Sequence, residues 1–165
     1  MTANTQTMPA AAAKRLTTER PIIARTALYL GAVAVLATGV LHIQQYYGQS
    51  YSTIPTIGTL FFLNFVSAVV VAVGLVVPLG RVAGRYATTI RALFAVGGIG
   101  IAVGSLVGLF VSESSGLFGF VEHGYRMAIA LAIVAEVAAT VLLVIFVAAN
   151  GTGVEKIRAE SPQAP

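Results

Sequence analysis

MAIALAIVAEVAATVLLVIFVAA, residues 127–149, decides the fold of this chain. The stretch contains one ionisable residue, Glu136, among apolar side chains. As a helix it is long enough to cross the hydrocarbon core of a bilayer, which is about 30 Å thick and needs roughly 20 residues. Similar apolar runs lie at residues 26–46, 57–79 and 92–111. We therefore predict an all-α integral membrane protein built as a four-helix bundle.

The composition supports a membrane protein. Hydrophobic residues make up 57% of the 165 residues and charged residues only 10%, whereas soluble domains average roughly half and about a quarter. We expect a four-helix transmembrane domain at residues 22–150, between a disordered cytoplasmic N-terminal tail (1–21) and a disordered cytoplasmic C-terminal tail (151–165). The chain has no cysteine, which excludes disulfides and thiolate metal sites.

The basic residues indicate the orientation of the helices in the membrane. Arg126 is the one cation at the opposite end of the bundle from the others, which are Lys14, Arg15, Arg20, Arg25, Arg81, Arg85, Arg91, Lys156 and Arg158. Cytoplasmic loops of membrane proteins are enriched in Lys and Arg. We therefore predict that both termini are cytoplasmic, in a multi-pass protein of the plasma membrane. The net charge of +4 is thereby explained by orientation, and we expect no nucleic-acid partner.

Small residues recur at helical spacing in the third and fourth spans. The third span carries Gly97, Gly100, Gly104 and Gly108, and the fourth carries Ala128 and Ala132 on the same face as Glu136. Such faces let neighbouring helices approach closely in lipid. The pattern therefore predicts helix packing at these residues.

Glu136 is the unusual residue of the fourth span. It lies about 16 Å below Tyr125, near the bilayer centre, where an ionised carboxylate costs about 2.5–3.5 kcal/mol on insertion scales. We expect it to be neutral or paired. The polar side chains within reach are Thr38, Ser67, Ser105 and Thr140. Either Glu136 is a structural acid that hydrogen-bonds to a hydroxyl or carbonyl group, or it is a proton or cation site.

Polar residues gather at the predicted outer ends of all four spans. They are His42, Gln45, Tyr46, Asn64, Glu113, Glu122, His123 and Arg126. Interfacial hydrogen bonding is the simplest interpretation, with an ion pair between Glu122 and Arg126. As an alternative, His42 and His123 are candidates to bind a divalent metal or a haem iron. We predict no cofactor.

Two segments around the first connection carry a resemblance. HIQQYY (42–47) and IPTIGTLFFLN (54–64) resemble an uncharacterised family of small four-span membrane proteins of actinobacteria, and His42, Pro55, Gly58 and Asn64 match its pattern. The resemblance implies a fold and a membrane location, with no activity attached.

Three functions are compatible with these features. The sequence contains none of the common nucleotide-binding or hydrolase motifs, so we favour a non-enzymatic accessory or scaffold protein. Its partners would be the lipid bilayer, other membrane proteins or a second copy. The alternatives are a small proton-coupled transporter using Glu136, and a haem- or metal-binding membrane protein using His42 and His123.

Overall fold

Helices form almost all of the described chain. The computed structural model describes the backbone of residues 10–121 and 126–160 and the side chains of residues 21–121 and 126–150. The helices are α1 (Ala10–Gly48), α2 (Pro55–Val76), the one-turn α3 (Leu79–Val82), α4 (Ala87–Ser114) and α5 (Met127–Glu160). Single 3-10 turns precede α2 at Tyr51–Thr53 and α4 at Gly84–Tyr86.

Four of these helical segments are long and apolar enough to cross a membrane: Pro21–Gly48, Pro55–Val76, Gly84–Ser114 and Met127–Asn150. The predicted all-α architecture with four long apolar helices is therefore confirmed. The helices α1 and α5 also continue past the predicted spans, to Ala10 and Glu160. The division of the chain into two tails and a membrane domain stays a prediction.

The second apolar helix ends earlier than the sequence predicts. The expected span runs to residue 79, whereas α2 ends at Val76 and Val77 takes an extended ψ of 141°. Pro78 explains the difference, because proline disfavours helical geometry in the residue before it. The chain then turns through α3 and the 3-10 turn into α4.

The four long helices form a ring. Here α1 packs against α2 and α5, α4 also packs against α2 and α5, and α1 and α4 face each other with little contact. Consecutive helices are thus neighbours, as short connections require. The largest fully buried side chains of the core are Val35, Thr38, Leu75 and Leu143, each less than 2% exposed.

Glycines allow the closest approaches in this core. A Cβ atom at Gly31 of α1 would lie 2.7 Å from Leu143 Cδ2, and one at Gly98 of α4 would lie 2.6 Å from Leu143 Cδ1. A Cβ at Gly39 would lie 2.6 Å from the Cβ of Ala68 in α2. Leu143 therefore fills the space that two glycines on diagonal helices leave, which closes this part of the ring.

The glycine ridge predicted on α4 lies beside this packing face. The buried residues of α4 are Ala95, Gly98 and Ala102 and, near its end, Ser112. Of the predicted ridge, Gly97 is near Val71 and Gly108 is near Leu117, whereas a Cβ at Gly100 or Gly104 would meet nothing within 4 Å. The role of the ridge in helix packing stays a prediction, and within this chain its Gly100, Gly104 and Gly108 border a cavity.

The start of α2 depends on a close backbone approach at Gly58. Pro55 occupies the first turn of α2, and the Gly58 amide donates to the Ile54 carbonyl at 2.7 Å. A Cβ at Gly58 would lie 2.6 Å from the Tyr51 carbonyl oxygen and 3.1 Å from Ser52 Cα. Both are backbone atoms, so a side chain here has to displace the first connection.

We predict that Gly58→Ala lowers the free energy of unfolding by about 1–3 kcal/mol, because overpacking forces the backbone to move. Unfolding in detergent measures the effect. Gly48→Ala is the matched control, since a Cβ at Gly48 meets nothing within 4 Å. Equal stability of the two variants would contradict this account of the turn.

Candidate functional site

A cavity of about 300 Å³ lies between the four long helices. It runs along α4 from Gly100 to Ser112, about 18 Å, and reaches the loop that follows α4. Most of its wall is apolar. The lining residues are His42, Gln45, Ile57, Leu60, Phe61, Asn64, Gly100, Ile101, Gly104, Ser105, Gly108, Leu109, Ser112, Leu117, Phe120, Ile129, Ala132 and Glu136.

Each long helix contributes a polar side chain to the deeper part of this cavity. These are His42 of α1, Asn64 of α2, Ser105 of α4 and Glu136 of α5. His42 is 9% exposed and Glu136 only 2%. Groups buried this far from water need partners within the protein.

The hydrogen bonding of His42 determines which ring nitrogen faces Glu136. His42 Nδ1 lies 2.9 Å from the Thr38 carbonyl oxygen. A carbonyl only accepts, so Nδ1 carries a hydrogen and donates it. Nε2 is therefore the atom that gains or loses a proton, and it lies 3.9 Å from Glu136 Oε1.

This pair is close but not in direct hydrogen-bond contact, because 3.9 Å exceeds the usual length of such a bond. With one proton shared between them, His42 and Glu136 carry no net charge, whichever of the two holds it. Without that proton the carboxylate is an uncompensated negative charge. Loss of that proton would thus change the charge of this buried site by one unit.

Ser105 and Asn64 complete the surroundings of Glu136. Asn64 Nδ2 donates to Ser105 Oγ at 2.6 Å, and the Ser105 side chain hydrogen-bonds to Glu136. The Ser105 hydroxyl accepts from the amide and so is free to donate to the carboxylate. Asn64 Oδ1 is buried without a hydrogen-bond partner. An unsatisfied acceptor therefore remains beside the cavity.

Of the four hydroxyl side chains expected near Glu136, Ser105 is the one that reaches its carboxyl group. The Thr38 hydroxyl donates to the Ala34 carbonyl at 3.2 Å, and the Thr140 hydroxyl donates to the backbone carbonyl of Glu136 at 2.8 Å. Ser67 is exposed. The closest ionisable partner, His42, was expected at a different level.

The depth of His42 explains why the sequence does not reveal the pair. It lies six residues before the end of α1, about 9 Å along the axis, while Glu136 lies nine residues into α5, about 14 Å. A difference of about 5 Å is within the reach of the two side chains. Counting depth from the helix ends therefore assigns His42 and Glu136 to different levels of the membrane, although their side chains lie close together.

Aromatic rings cover the end of the cavity near the connections. Tyr51 is 5% exposed, and its ring lies 4.9 Å from that of Phe61 and 5.5 Å from that of Phe120. The ring of Phe61 lies 4.9 Å from that of His42. This aromatic cover connects the first connection to the buried pair.

Arg126, which directly precedes α5, binds the first connection next to this aromatic cover. Its Nη1 donates to Gln49 Oε1 at 2.7 Å and its Nη2 donates to the Tyr51 hydroxyl. The predicted partner Glu122 lies outside the described residues. Arg126 therefore joins the start of α5 to the first connection across the top of the cavity.

The other members of the predicted outer cluster divide into groups. Gln45 is buried and lines the cavity with His42 and Asn64. Tyr46 packs instead against the ring of Phe62 at 6.1 Å, and Glu113 near the end of α4 does not line the cavity. His123, like Glu122, lies outside the described residues.

Metal and haem binding at His42 and His123 stay predictions. Within the described ranges, no group of three or more His, Cys, Asp or Glu residues is arranged to hold a metal ion.

No protein-family model, curated protein or solved structure matches this chain. The resemblance of residues 42–64 to actinobacterial four-span proteins stays a prediction. The cavity and its polar side chains are therefore the basis for a function.

We predict a favourable coupling of about 0.5–2 kcal/mol between Asn64 and Ser105, the range of hydrogen bonds between helices in membrane proteins. Stabilities of Asn64→Ala, Ser105→Ala and the double variant give this value. A cycle of Thr59→Ala with Ser105→Ala is the control, because the Thr59 hydroxyl donates within its own helix to the Pro55 carbonyl at 2.7 Å. A coupling of zero for both pairs would contradict the network.

Proposed function

We propose that this chain is a multi-pass protein of the plasma membrane, with its termini and the connection between α2 and α4 in the cytoplasm. Four helices of spanning length and the grouping of cations at one end of the bundle support this orientation. The cavity then opens toward the extracytoplasmic side, and the His42–Glu136 pair lies inside the hydrocarbon layer.

Within that membrane we propose a small proton-coupled carrier, which exchanges one proton for one small apolar monocation. The observation that carries the proposal is the His42–Glu136 pair on the wall of a cavity that is otherwise mainly apolar. Ionisable residues inside membranes are rare and commonly mark ion or proton pathways.

Charge balance supports an exchange of one for one. The pair is neutral with one shared proton and carries one negative charge without it. A bare charge at this depth is costly, so the site binds either a proton or a monovalent cation. Ser105, which donates to Glu136, and the Asn64 acceptor are suited to orient the bound group.

The shape of the cavity favours an organic cation. Its volume of about 300 Å³ is at the lower end of small-molecule sites. Phe61 and Phe120 line it, and aromatic faces attract cations as well as apolar groups. A small ammonium compound with an apolar body matches this combination better than a hydrated inorganic ion does.

The packing of the bundle is suited to alternating access. The core at Val35, Leu75 and Leu143 closes the cavity toward the other end of the bundle. The helix α4 is the least buried of the four, so its movement would sacrifice the fewest contacts. We propose that α4 moves to open the second side.

The accessory or scaffold hypothesis remains as a second reading, with lipid, other membrane proteins or a second copy as partners. Many exposed apolar side chains on α2 and α4 are compatible with such contacts. It gives no reason for a buried carboxyl group beside a cavity, and for this reason we prefer the carrier.

Transport by purified protein in liposomes tests the proposal, with benzyltrimethylammonium as the probe. We expect uptake into vesicles whose interior is more acidic than the medium, because each proton that leaves allows one cation to enter. Glu136→Gln should reduce this uptake at least about tenfold, since a neutral amide neither releases a proton nor balances a cation.

Glu113→Gln is the matched control and should transport normally, because Glu113 does not line the cavity. Uptake that is absent in the unmodified protein, or that is unchanged in Glu136→Gln, would contradict the carrier.

A further inference from the structure

A second pocket, of about 400 Å³, lies at the opposite end of the bundle from the cavity. It is formed where α1 and α4 enter the predicted spans and where α2 and α5 leave them. The residues that line it are Pro21, Ala24, Arg25, Leu28, Tyr29, Leu75, Val76, Arg91, Phe146 and Asn150.

Arginines from two different helices line this pocket. Arg25 comes from α1 and Arg91 from α4. Among the side chains that the structure describes, no carboxylate lines the pocket, and neither arginine forms a salt bridge. Arg25 is exposed and Arg91 is partly buried, so two positive charges line one pocket without a compensating carboxylate among the described side chains.

Arg91 is held in place but only partly satisfied. Its Nη2 donates to the Val77 carbonyl at 3.0 Å, just beyond the end of α2, while its Nε is buried without a hydrogen-bond partner. A buried N–H without an acceptor is costly. An oxygen-rich anion would supply both an acceptor for this N–H group and a negative charge.

We propose that this pocket binds a phosphate group between Arg25 and Arg91. Guanidinium groups present parallel N–H donors that match the spacing of phosphate oxygens. In the proposed orientation the pocket lies at the cytoplasmic level, where basic pockets between helices bind anionic lipid headgroups. The site is independent of the carrier function and would exist in a scaffold as well.

The walls and rim of the pocket are compatible with a phospholipid as the source of the phosphate. Leu28, Leu75 and Phe146 are buried in its apolar wall, and the half-exposed Tyr29 and Val76 lie at its rim. Acyl chains that leave the pocket would thus meet apolar surface. Free inorganic phosphate has the same headgroup chemistry without these chains.

Native mass spectrometry of the full-length protein in neutral detergent tests the site. We expect one dioctanoyl phosphatidylglycerol to bind, at least about tenfold more tightly than dioctanoylglycerol, which lacks the phosphate. Arg25→Gln and Arg91→Gln should each weaken this binding about tenfold. Arg85→Gln is the control and should bind normally, because Arg85 is exposed outside the pocket and its guanidinium lies over the ring of Tyr86.

Arg25→Gln keeps the test decisive even if Arg91→Gln fails to fold. Arg91 donates to the Val77 carbonyl beyond the end of α2, whereas Arg25 is exposed and has no hydrogen bond to the described residues. We therefore expect replacement of Arg25 to leave the packing intact. Competition by inorganic phosphate would identify free phosphate as a second occupant of the same site. Equal binding of the two lipids, or unchanged binding by Arg25→Gln and Arg91→Gln, would overturn the proposal.

Discussion

A carboxyl group in the middle of an apolar helix needs polar partners, and the cavity end of this bundle supplies them to Glu136. Glu136 is 2% exposed, and its partners come from the other three helices: His42 from α1, and Ser105 of α4 supported by Asn64 of α2. The Thr38 carbonyl fixes the histidine by accepting from Nδ1. The result is a buried carboxyl group with polar side chains of the other three helices around it, beside an open volume.

Small residues serve two purposes along the same bundle. Gly31 and Gly98 admit Leu143 and close the core, while Gly100 and Gly104 have nothing near them and leave room for the cavity. These positions on α4 are close in sequence, yet Gly98 packs in the core while Gly100 and Gly104 border the cavity. The close packing and the cavity therefore depend on the same type of residue, with only the helix face differing.

The sequence was sufficient for the four long apolar helices, because hydrophobic runs of spanning length have few other structural solutions. It also singled out Glu136, His42 and Asn64. It did not reveal the contact between His42 and Glu136, since that depends on how two helices align along their axes. The sequence predicts only an orienting role for Arg91, because the pocket that it lines with Arg25 depends on the arrangement of α1 and α4 in one ring. Contacts of this kind are set by tertiary packing rather than by local pattern.

The central claim is that a cation and a proton compete for one negative charge at Glu136. Calorimetric titration of benzyltrimethylammonium into the detergent-solubilised protein, repeated in buffers with different ionisation enthalpies, counts the protons released on binding. The account predicts close to one proton per bound cation in the unmodified protein and none with Glu136→Gln. Binding of the cation to the unmodified protein without proton release would contradict it.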